Sequence, residues 1–197
     1  GHSVQVFDAR EGPGLETSYA NGGQISVSHA EPWASPGTPM KALKWMFEED
    51  APLLFRLHMD KNQWRWAFEF LRHCRHSAWE KNTKALVTLG LYSREALQQL
   101  RQELALTYDE ATRGILHIYT DEESFDLAAT HASDMEKFGV DRKVLTASEA
   151  LHQEPALKYR FATLAGATYT QSDETGDAYL FTQKLAAKAQ AAGVVFH

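Results

Sequence analysis

The chain has 197 residues, of which 44% are hydrophobic and 23% charged, and its formal net charge is −6. This acidic balance argues against non-specific nucleic-acid binding, which requires a basic face that neutralises phosphates. The single cysteine, Cys74, excludes an internal disulfide and fits a reducing compartment. No apolar run approaches the roughly 20 residues that a membrane-spanning helix needs. The composition therefore predicts a globular protein with one core or two modest domains.

The chain opens with a short strand pattern that ends in a carboxylate. Val4, Val6 and Phe7 are apolar residues typical of strands, and Asp8 follows them directly. In a dinucleotide-binding fold the second strand ends in an acidic residue that accepts hydrogen bonds from ribose hydroxyls. Asp8 stands where that role would fall, although an ordinary turn carboxylate after a strand is the alternative.

A polar loop with two adjacent glycines follows this strand, at residues 16–26. Small residues let backbone N–H groups approach a ligand without a clash, although a solvated surface loop is the alternative. No G-x-G-x-x-G motif precedes Asp8, because the sequence begins at Gly1. The strand and helix that would carry this motif need about 25–30 residues. We therefore expect the chain to be a fragment that begins inside a dinucleotide-binding domain.

The first half of the chain is rich in aromatic residues, and all five tryptophans lie between Trp33 and Trp79. Apolar residues at helical spacing predict three helices, at Met40–Phe47, Asn62–Glu80 and Thr83–Ala105. Residues 51–55 are predicted to begin a new segment between the first and the second of these helices. The middle helix is apolar on two sides, which favours burial between neighbouring elements.

Strand and helix patterns alternate in the second half of the chain. Strands are predicted at residues 113–119, 143–145, 165–170 and 194–196. Capping boxes predict that helices begin after Thr120 and Thr146, and glycines predict that helices end at Gly139 and Gly193. The last strand is cut at His197, and a domain rarely stops within a buried parallel strand. We therefore expect the chain to be a fragment at this end as well.

Two clusters of potential metal ligands occur in the sequence. Asp173, Glu174 and Asp177 are close together, but turn chemistry and N-capping of a helix by Asp177 are favoured over a metal site. Two histidines flank Cys74, yet no further ligands stand at zinc-type spacing. We therefore predict no metal site. No Ser/His/Asp or Cys/His pattern indicates a nucleophilic centre, so no catalytic residue is assigned.

Several segments, taken in order, resemble one enzyme family. They are residues 1–8, 16–26, 32–37, 41–47, 51–53, 92–94, 173–177 and 180–182. Together they resemble the bacterial FAD-dependent D-amino-acid dehydrogenases of the small-subunit type, within the D-amino-acid oxidase-like flavoproteins. The resemblance spans nearly the whole chain. Residues 28–31 depart from the family pattern, and the family's phosphate-binding glycines and C-terminal half are not in this sequence, so the residues that bind the substrate carboxylate are unassigned.

The resemblance implies an α/β fold with a partial FAD-binding dinucleotide (Rossmann-like) domain at residues 1–27 and 164–197. An inserted α+β substrate or cap domain would occupy residues 28–163. Asp8 would bind the adenosine ribose, and Arg10 would either reach the adenine-side phosphates or remain solvated. The loop residues expected to contact the pyrophosphate and the flavin ring are Thr17, Ser18, Asn21, Gly22, Gly23, Gln24 and Ile25.

The activity that the resemblance implies is oxidative deamination of D-amino acids to 2-oxo acids and ammonia by hydride transfer to FAD. Electrons would pass to a quinone or another respiratory-chain acceptor. One rival is a glycine- or sarcosine-type FAD amine oxidase that uses oxygen. Another is that the chain, taken alone, is an inactive fragment.

The implied location is the cytoplasm, with peripheral contact at the inner face of the bacterial inner membrane as an open option. Two interpretations of the aromatic segment bear on this option. The segment either forms the core of the substrate domain or presents a surface to a membrane or a quinone. The contact residues on the second interpretation would be Lys41, Lys44, Trp45 and Phe47.

Overall fold

The structure, a computed structural model, describes residues 2–45 and 58–197. The chain divides into two compact units, one of Gly1–Ser28 with Leu91–His197 and the other of His29–Gly90. This division reflects spatial proximity alone, so the functional domains at 1–27, 28–163 and 164–197 stay a prediction. The new segment that is predicted to begin at residues 51–55 lies outside the described residues.

Helices and short strands are mixed in the described residues, as the sequence predicts. The helices are α1 (Thr38–Trp45), α2 (Lys61–His73), α3 (His76–Glu103), α4 (Glu122–Lys137), α5 (Ala147–Gln153) and α6 (Ala178–Ala191). The strands are β1 (Gln5–Val6), β2 (Gln24–Ile25), β3 (Ile115–Tyr119), β4 (Arg142–Thr146), β5 (Gly166–Thr170), β6 (Glu174–Thr175) and β7 (Val195–Phe196). No helix among these residues is both long and apolar enough to cross a bilayer.

The boundary predicted between two helices after Glu80 is wrong. Helix α2 ends at His73, where the Cys74 N–H donates to the carbonyls of two residues in the last turn, and α3 runs from His76 past residues 81–82. Lys81 and Asn82 include no proline or glycine, so nothing there removes a backbone donor or favours a non-helical conformation.

The aromatic residues of α2 are more exposed than the sequence predicts. Trp64, Trp66, Phe68 and Leu71 are each more than half exposed, so burial on both sides of this helix is not observed. The helix that was predicted at Met40–Phe47 is described up to Trp45, and Phe47 lies outside the described residues.

An antiparallel sheet of three strands, in the order β3-β5-β4, forms the core of the larger unit. Thr170 on the central strand pairs with Ile115 on one side and with Arg142 on the other. All five residues of β5 are buried. Helices α4 and α5 pack against β4 and β5, which encloses apolar residues that include Ala150 and Ala167.

The two predicted capping boxes differ in outcome. The second is confirmed, because the Thr146 hydroxyl accepts from the Glu149 N–H while the Glu149 carboxylate accepts from the Thr146 N–H. The first is wrong by one residue: Asp121, not Thr120, caps α4 by accepting from the Ser124 N–H at 2.8 Å. A carboxylate is a strong acceptor beside the positive end of a helix, which favours Asp121 over the hydroxyl before it.

The two ends of the described chain meet in a parallel pair. Strand β1 pairs with β7, with Gln5 opposite Val195 and Val6 opposite Phe196. This confirms that the opening strand belongs to a parallel sheet. Helix α6 leads into β7, and Gly193, with φ of +94°, ends this helix as predicted.

Candidate functional site

Asp8 lies at the carboxyl end of β1, and its side chain is exposed. Its N–H donates to the His197 carbonyl at 3.0 Å, which continues the parallel pair by one residue. Its Oδ1 accepts from the Arg10 N–H at 2.9 Å, which forms a tight turn. Within the described residues Oδ2 accepts no hydrogen bond. An exposed oxygen at this position is available to accept from a ligand hydroxyl.

Arg10 forms an exposed ion pair with Glu16. Its Nε donates to the Glu16 carboxylate, and both side chains are more than half exposed. Exposed pairs contribute little to stability, so an anionic ligand can compete for this guanidinium. The predicted phosphate contact of Arg10 stays a prediction.

The loop between β1 and β2 is held by short-range contacts. Residues Thr17–Ala20 form one turn of 3-10 helix, in which Thr17 is exposed and Ser18 is partly buried. The Asn21 side chain accepts from the Gly23 N–H at 2.8 Å. This bond stabilises the turn in which Gly23 adopts a φ of +62°.

The two glycines of this loop have different surroundings. A Cβ on Gly23 would lie 1.8 Å from the carbonyl oxygen of Gly176, whose own N–H donates to the Gly23 carbonyl at 2.9 Å. Glycine is therefore required at position 23, because any side chain there would overlap the backbone of Gly176. No atom of the described part of the chain would lie within 4 Å of a Cβ on Gly22. The backbone at Gly22 is thus open to close approach by a ligand.

The structure joins this loop to the carboxylate cluster at residues 173–177. Strand β2 pairs with β6 in antiparallel fashion, so that Gln24 lies opposite Thr175 and Ile25 opposite Glu174. Two segments that the sequence shows about 150 residues apart therefore form one ribbon, which places Gln24 and Ile25 against a defined partner.

Asp173 is completely buried at the start of this ribbon. Its carboxylate accepts from the Ser26 and Ser28 hydroxyls, both at 2.6 Å, and from the Val27 N–H at 3.0 Å. The Arg94 Nη1 lies 3.9 Å from its Oδ1. Burial of a carboxylate is costly unless such donors replace water, and here three donors and a guanidinium do so.

Glu174 ties the same ribbon to α3. Its carboxylate accepts from Arg101 Nη1 at 2.7 Å and from the Gln98 side-chain amide. The hydrogen bond to Glu174 raises the pKa of the Arg101 guanidinium, which also donates to the Tyr108 hydroxyl at 3.2 Å. The ion pair is nearly buried on both sides. Removing either partner would leave the other charge nearly buried and without its counter-ion, which is costly.

Protein groups account for the whole carboxylate cluster. Asp177 caps α6 by accepting from the Leu180 N–H at 2.8 Å, which confirms the predicted cap. Across residues 2–45 and 58–197, no group of three or more His, Cys, Asp or Glu side chains is placed to hold a metal ion. Cys74 is buried, and this burial raises the pKa of its thiol, which lowers its reactivity.

Sequence reasoning missed the residues that hold the loop in place. Ser26, Ser28 and Asp173 are polar residues whose role is visible only when distant segments meet. Arg94 and Arg101 are seven residues apart and lie on one face of the helix, together with Glu95 and Gln98. A charged helix face usually contacts solvent, so nothing in the sequence indicated that these arginines lie beside buried carboxylates.

Comparisons with known proteins agree on one family. A family model described as "FAD dependent oxidoreductase" matches residues 1–197. The D-amino acid dehydrogenase of Dechloromonas aromatica (strain RCB) is 50% identical over 196 residues, which cover 100% of this chain and 47% of that protein. The chain thus spans about half the length of the curated relatives it matches.

Two solved structures share the fold. Glycine oxidase from Geobacillus kaustophilus has a TM-score of 0.64 at 22% identity, covering 100% of this chain and 40% of that one. L-alpha-glycerophosphate oxidase from Mycoplasma pneumoniae with FAD bound has a TM-score of 0.58 at 14% identity, covering 98% and 38%. At these identities the likeness shows the fold alone. The predicted Rossmann-like α/β fold is thereby confirmed.

The residues at the carboxyl end of β1 fit this cofactor. Asp8 has an exposed carboxylate oxygen that accepts no hydrogen bond from residues 2–45 or 58–197, of the kind that binds a ribose, and Gly22 leaves space for close approach to the backbone. The chain belongs to the family of FAD-dependent oxidoreductases, and its cofactor is FAD.

Proposed function

We propose that this chain is part of a D-amino-acid dehydrogenase, which oxidatively deaminates D-amino acids to 2-oxo acids and ammonia. The observation that carries the proposal is 50% identity over the whole chain to a protein of that name. When bound, FAD supplies the chemistry by accepting a hydride from the substrate α-carbon. Electrons then pass to a quinone or another respiratory-chain acceptor.

The chain's own residues hold and orient the cofactor in this proposal. Asp8 accepts hydrogen bonds from the adenosine ribose, and Arg10 exchanges Glu16 for an adenine-side phosphate. The loop presents backbone N–H groups and small hydroxyls to the pyrophosphate and the flavin ring. Its contact residues are Thr17, Ser18, Asn21, Gly22, Gly23, Gln24 and Ile25. No residue of this chain is given a catalytic role.

The domain assignment is part of the same proposal. Residues 1–27 and 164–197 belong to the FAD-binding domain, and residues 28–163 form the substrate or cap domain. Since the chain spans 47% of the dehydrogenase from Dechloromonas aromatica, activity requires a polypeptide that also supplies the remaining parts. The isolated chain is therefore expected to be inactive.

A glycine- or sarcosine-type oxidase that uses oxygen is the second candidate. A glycine oxidase shares the fold, but at 22% identity it carries no information on substrate. The dehydrogenase is favoured because its match is much closer in sequence.

A further part of the proposal is a cytoplasmic location with peripheral contact at the inner face of the bacterial inner membrane. Trp64, Trp66 and Phe68 expose apolar surface on α2, and Lys41 and Lys44 are exposed on α1. Aromatic and basic side chains favour the membrane interface, which supports this placement. The other two predicted contacts, the Trp45 side chain and Phe47, lie outside the described residues.

The test is reduction of the bound flavin in the complete polypeptide that carries this chain. Mixing without oxygen with D-alanine should bleach the yellow flavin absorbance, and L-alanine should leave it unchanged. A quinone analogue should then restore the colour faster than oxygen does. Bleaching by glycine or sarcosine with rapid reoxidation by oxygen would instead establish the oxidase.

A further inference from the structure

We infer that Asp173 is a positioning residue for FAD, because it fixes residues 26–28, which directly follow β2 at the end of the cofactor loop. This inference rests on the proposed role of the loop at residues 16–26. Asp173 touches no reacting atom in this scheme. It acts through Ser26, Val27 and Ser28, whose donors all converge on its carboxylate.

Three hydrogen bonds to one carboxylate hold the C-terminal end of the loop. Residues 26–28 are consecutive, and each gives one hydrogen bond to the same buried carboxylate. The Ser26 and Ser28 hydroxyl oxygens are 3.1 Å apart, so both lie on one side of it. Such convergence leaves this segment few alternative conformations, and Ser26 directly follows the two β2 residues expected beside the flavin ring.

A second contact fixes the loop a few residues earlier. The Gly176 N–H donates to the Gly23 carbonyl at 2.9 Å, in the same turn region as Asp173. Arg94 of α3 donates to the Ser172 carbonyl at 3.0 Å and lies beside Asp173. The segment at 172–176 is therefore anchored on α3 and holds residues 23–28. A loop fixed in this way presents its backbone donors to FAD without first losing conformational entropy.

The choice of variants follows from the donors around Asp173. In Asp173→Asn the amide oxygen can accept from the Val27 N–H, while the amide NH₂ can donate to both serine hydroxyls, which also accept hydrogen bonds. All three links are kept, and only the charge is lost. In Asp173→Ala all three hydrogen bonds are lost. Asp173→Asn is thus the conservative variant, and it should restore FAD binding.

The experiment compares these variants in the complete polypeptide by FAD titration, the spectrum of the bound flavin and hydrogen exchange of residues 16–28 without FAD. Asp173→Ala should raise the FAD Kd about tenfold or more, shift the flavin spectrum and speed exchange in the loop. Asp173→Asn should stay within about threefold of the wild type. Asp126→Ala is the matched control, because it removes an exposed carboxylate on α4, away from the loop and from the segment at 172–176.

An unchanged FAD Kd and spectrum in Asp173→Ala, with or without a lower Tm, would overturn the inference, because a purely structural residue behaves in that way. If Asp173→Ala does not fold, the single variant Ser26→Ala removes one donor and leaves the Val27 N–H, the Ser28 hydroxyl and Arg94 beside the carboxylate. This variant should also weaken FAD binding and speed exchange in the loop, and an unchanged Kd would count against the inference. None of these readouts needs a D-amino acid, so a failure of the proposed activity, seen as no bleaching by D-alanine, is distinguished from a failure here.

Discussion

Gly22 and Gly23 are adjacent, yet the structure gives them different reasons to be glycine. Gly23 has a positive φ and touches the Gly176 carbonyl, so any side chain there collides with the chain's own backbone. Gly22 has neither feature, since its surroundings are open. The second glycine serves folding, and we expect the first to serve the cofactor.

This difference predicts that two alanine variants separate stability from binding. Gly23→Ala should lower the free energy of unfolding by roughly 2–4 kcal/mol, because it combines backbone strain with a steric overlap. Gly22→Ala should change it by less than about 0.5 kcal/mol but weaken FAD binding. Urea denaturation and FAD titration measure the two effects. A Gly22→Ala variant that binds FAD normally would remove Gly22 from the proposed site.

At the residue scale, sequence reasoning succeeds where the partner is local. The predicted cap at Asp177 is found, and its partner is only three positions away, which the sequence displays directly. Asp173 is different, because the serines it binds are 145 and 147 residues distant. Nothing local indicates which turn carboxylate becomes buried. That depends on how β2 meets β6, which only the folded chain shows.

At the scale of elements, the sequence places some helix ends correctly and misplaces others. The Thr146 cap is found because a hydroxyl and a glutamate stand three residues apart and the residue directly after the threonine is an alanine. At Thr120 the neighbouring Asp121 is the better acceptor and displaces the start by one residue. The break at Cys74 has no proline or glycine beside it, so periodicity alone could not place it.

The confirmed cap at Thr146 predicts a pH dependence of stability. Hydrogen bonds from Thr146 hold the pKa of the Glu149 carboxyl below its ordinary value of 4.5. A group whose pKa is lower in the folded state stabilises the fold fully above its unfolded pKa. That contribution is lost as the pH falls through the folded pKa. Glu149→Gln removes it at every pH.

The difference in free energy of unfolding between wild type and Glu149→Gln should therefore be constant at neutral pH and narrow below pH 4.5. Urea denaturation at a series of pH values measures this difference. Glu136→Gln, an exposed site on α4, is the control and should show no such narrowing. A gap between wild type and Glu149→Gln that stays constant to acid pH would show that the carboxylate contributes nothing through its charge.

For the whole molecule, the sequence predicts the fold family better than it predicts the arrangement. The parallel pairing of β1 with β7 agrees with the parallel sheet that the resemblance implies, although nearly the whole chain lies between these two strands. The order β3-β5-β4 does not follow from the sequence, because β5, the central strand with all five residues buried, consists of small and polar residues and one tyrosine and has no long apolar run to mark it as central. The proposed contact with the cofactor depends on the first of these features, because Asp8 follows β1.

The most direct measurement of the proposed cofactor site is an equilibrium titration of the complete polypeptide with FAD, comparing wild type with Asp8→Ala. Loss of a hydrogen bond between this carboxylate and a ribose hydroxyl should raise the FAD Kd about tenfold or more, with little change in the free energy of unfolding. Asp126→Ala, which removes an exposed carboxylate on α4, should bind FAD as the wild type does. Equal Kd values for wild type and Asp8→Ala would contradict the placement of FAD at the end of β1.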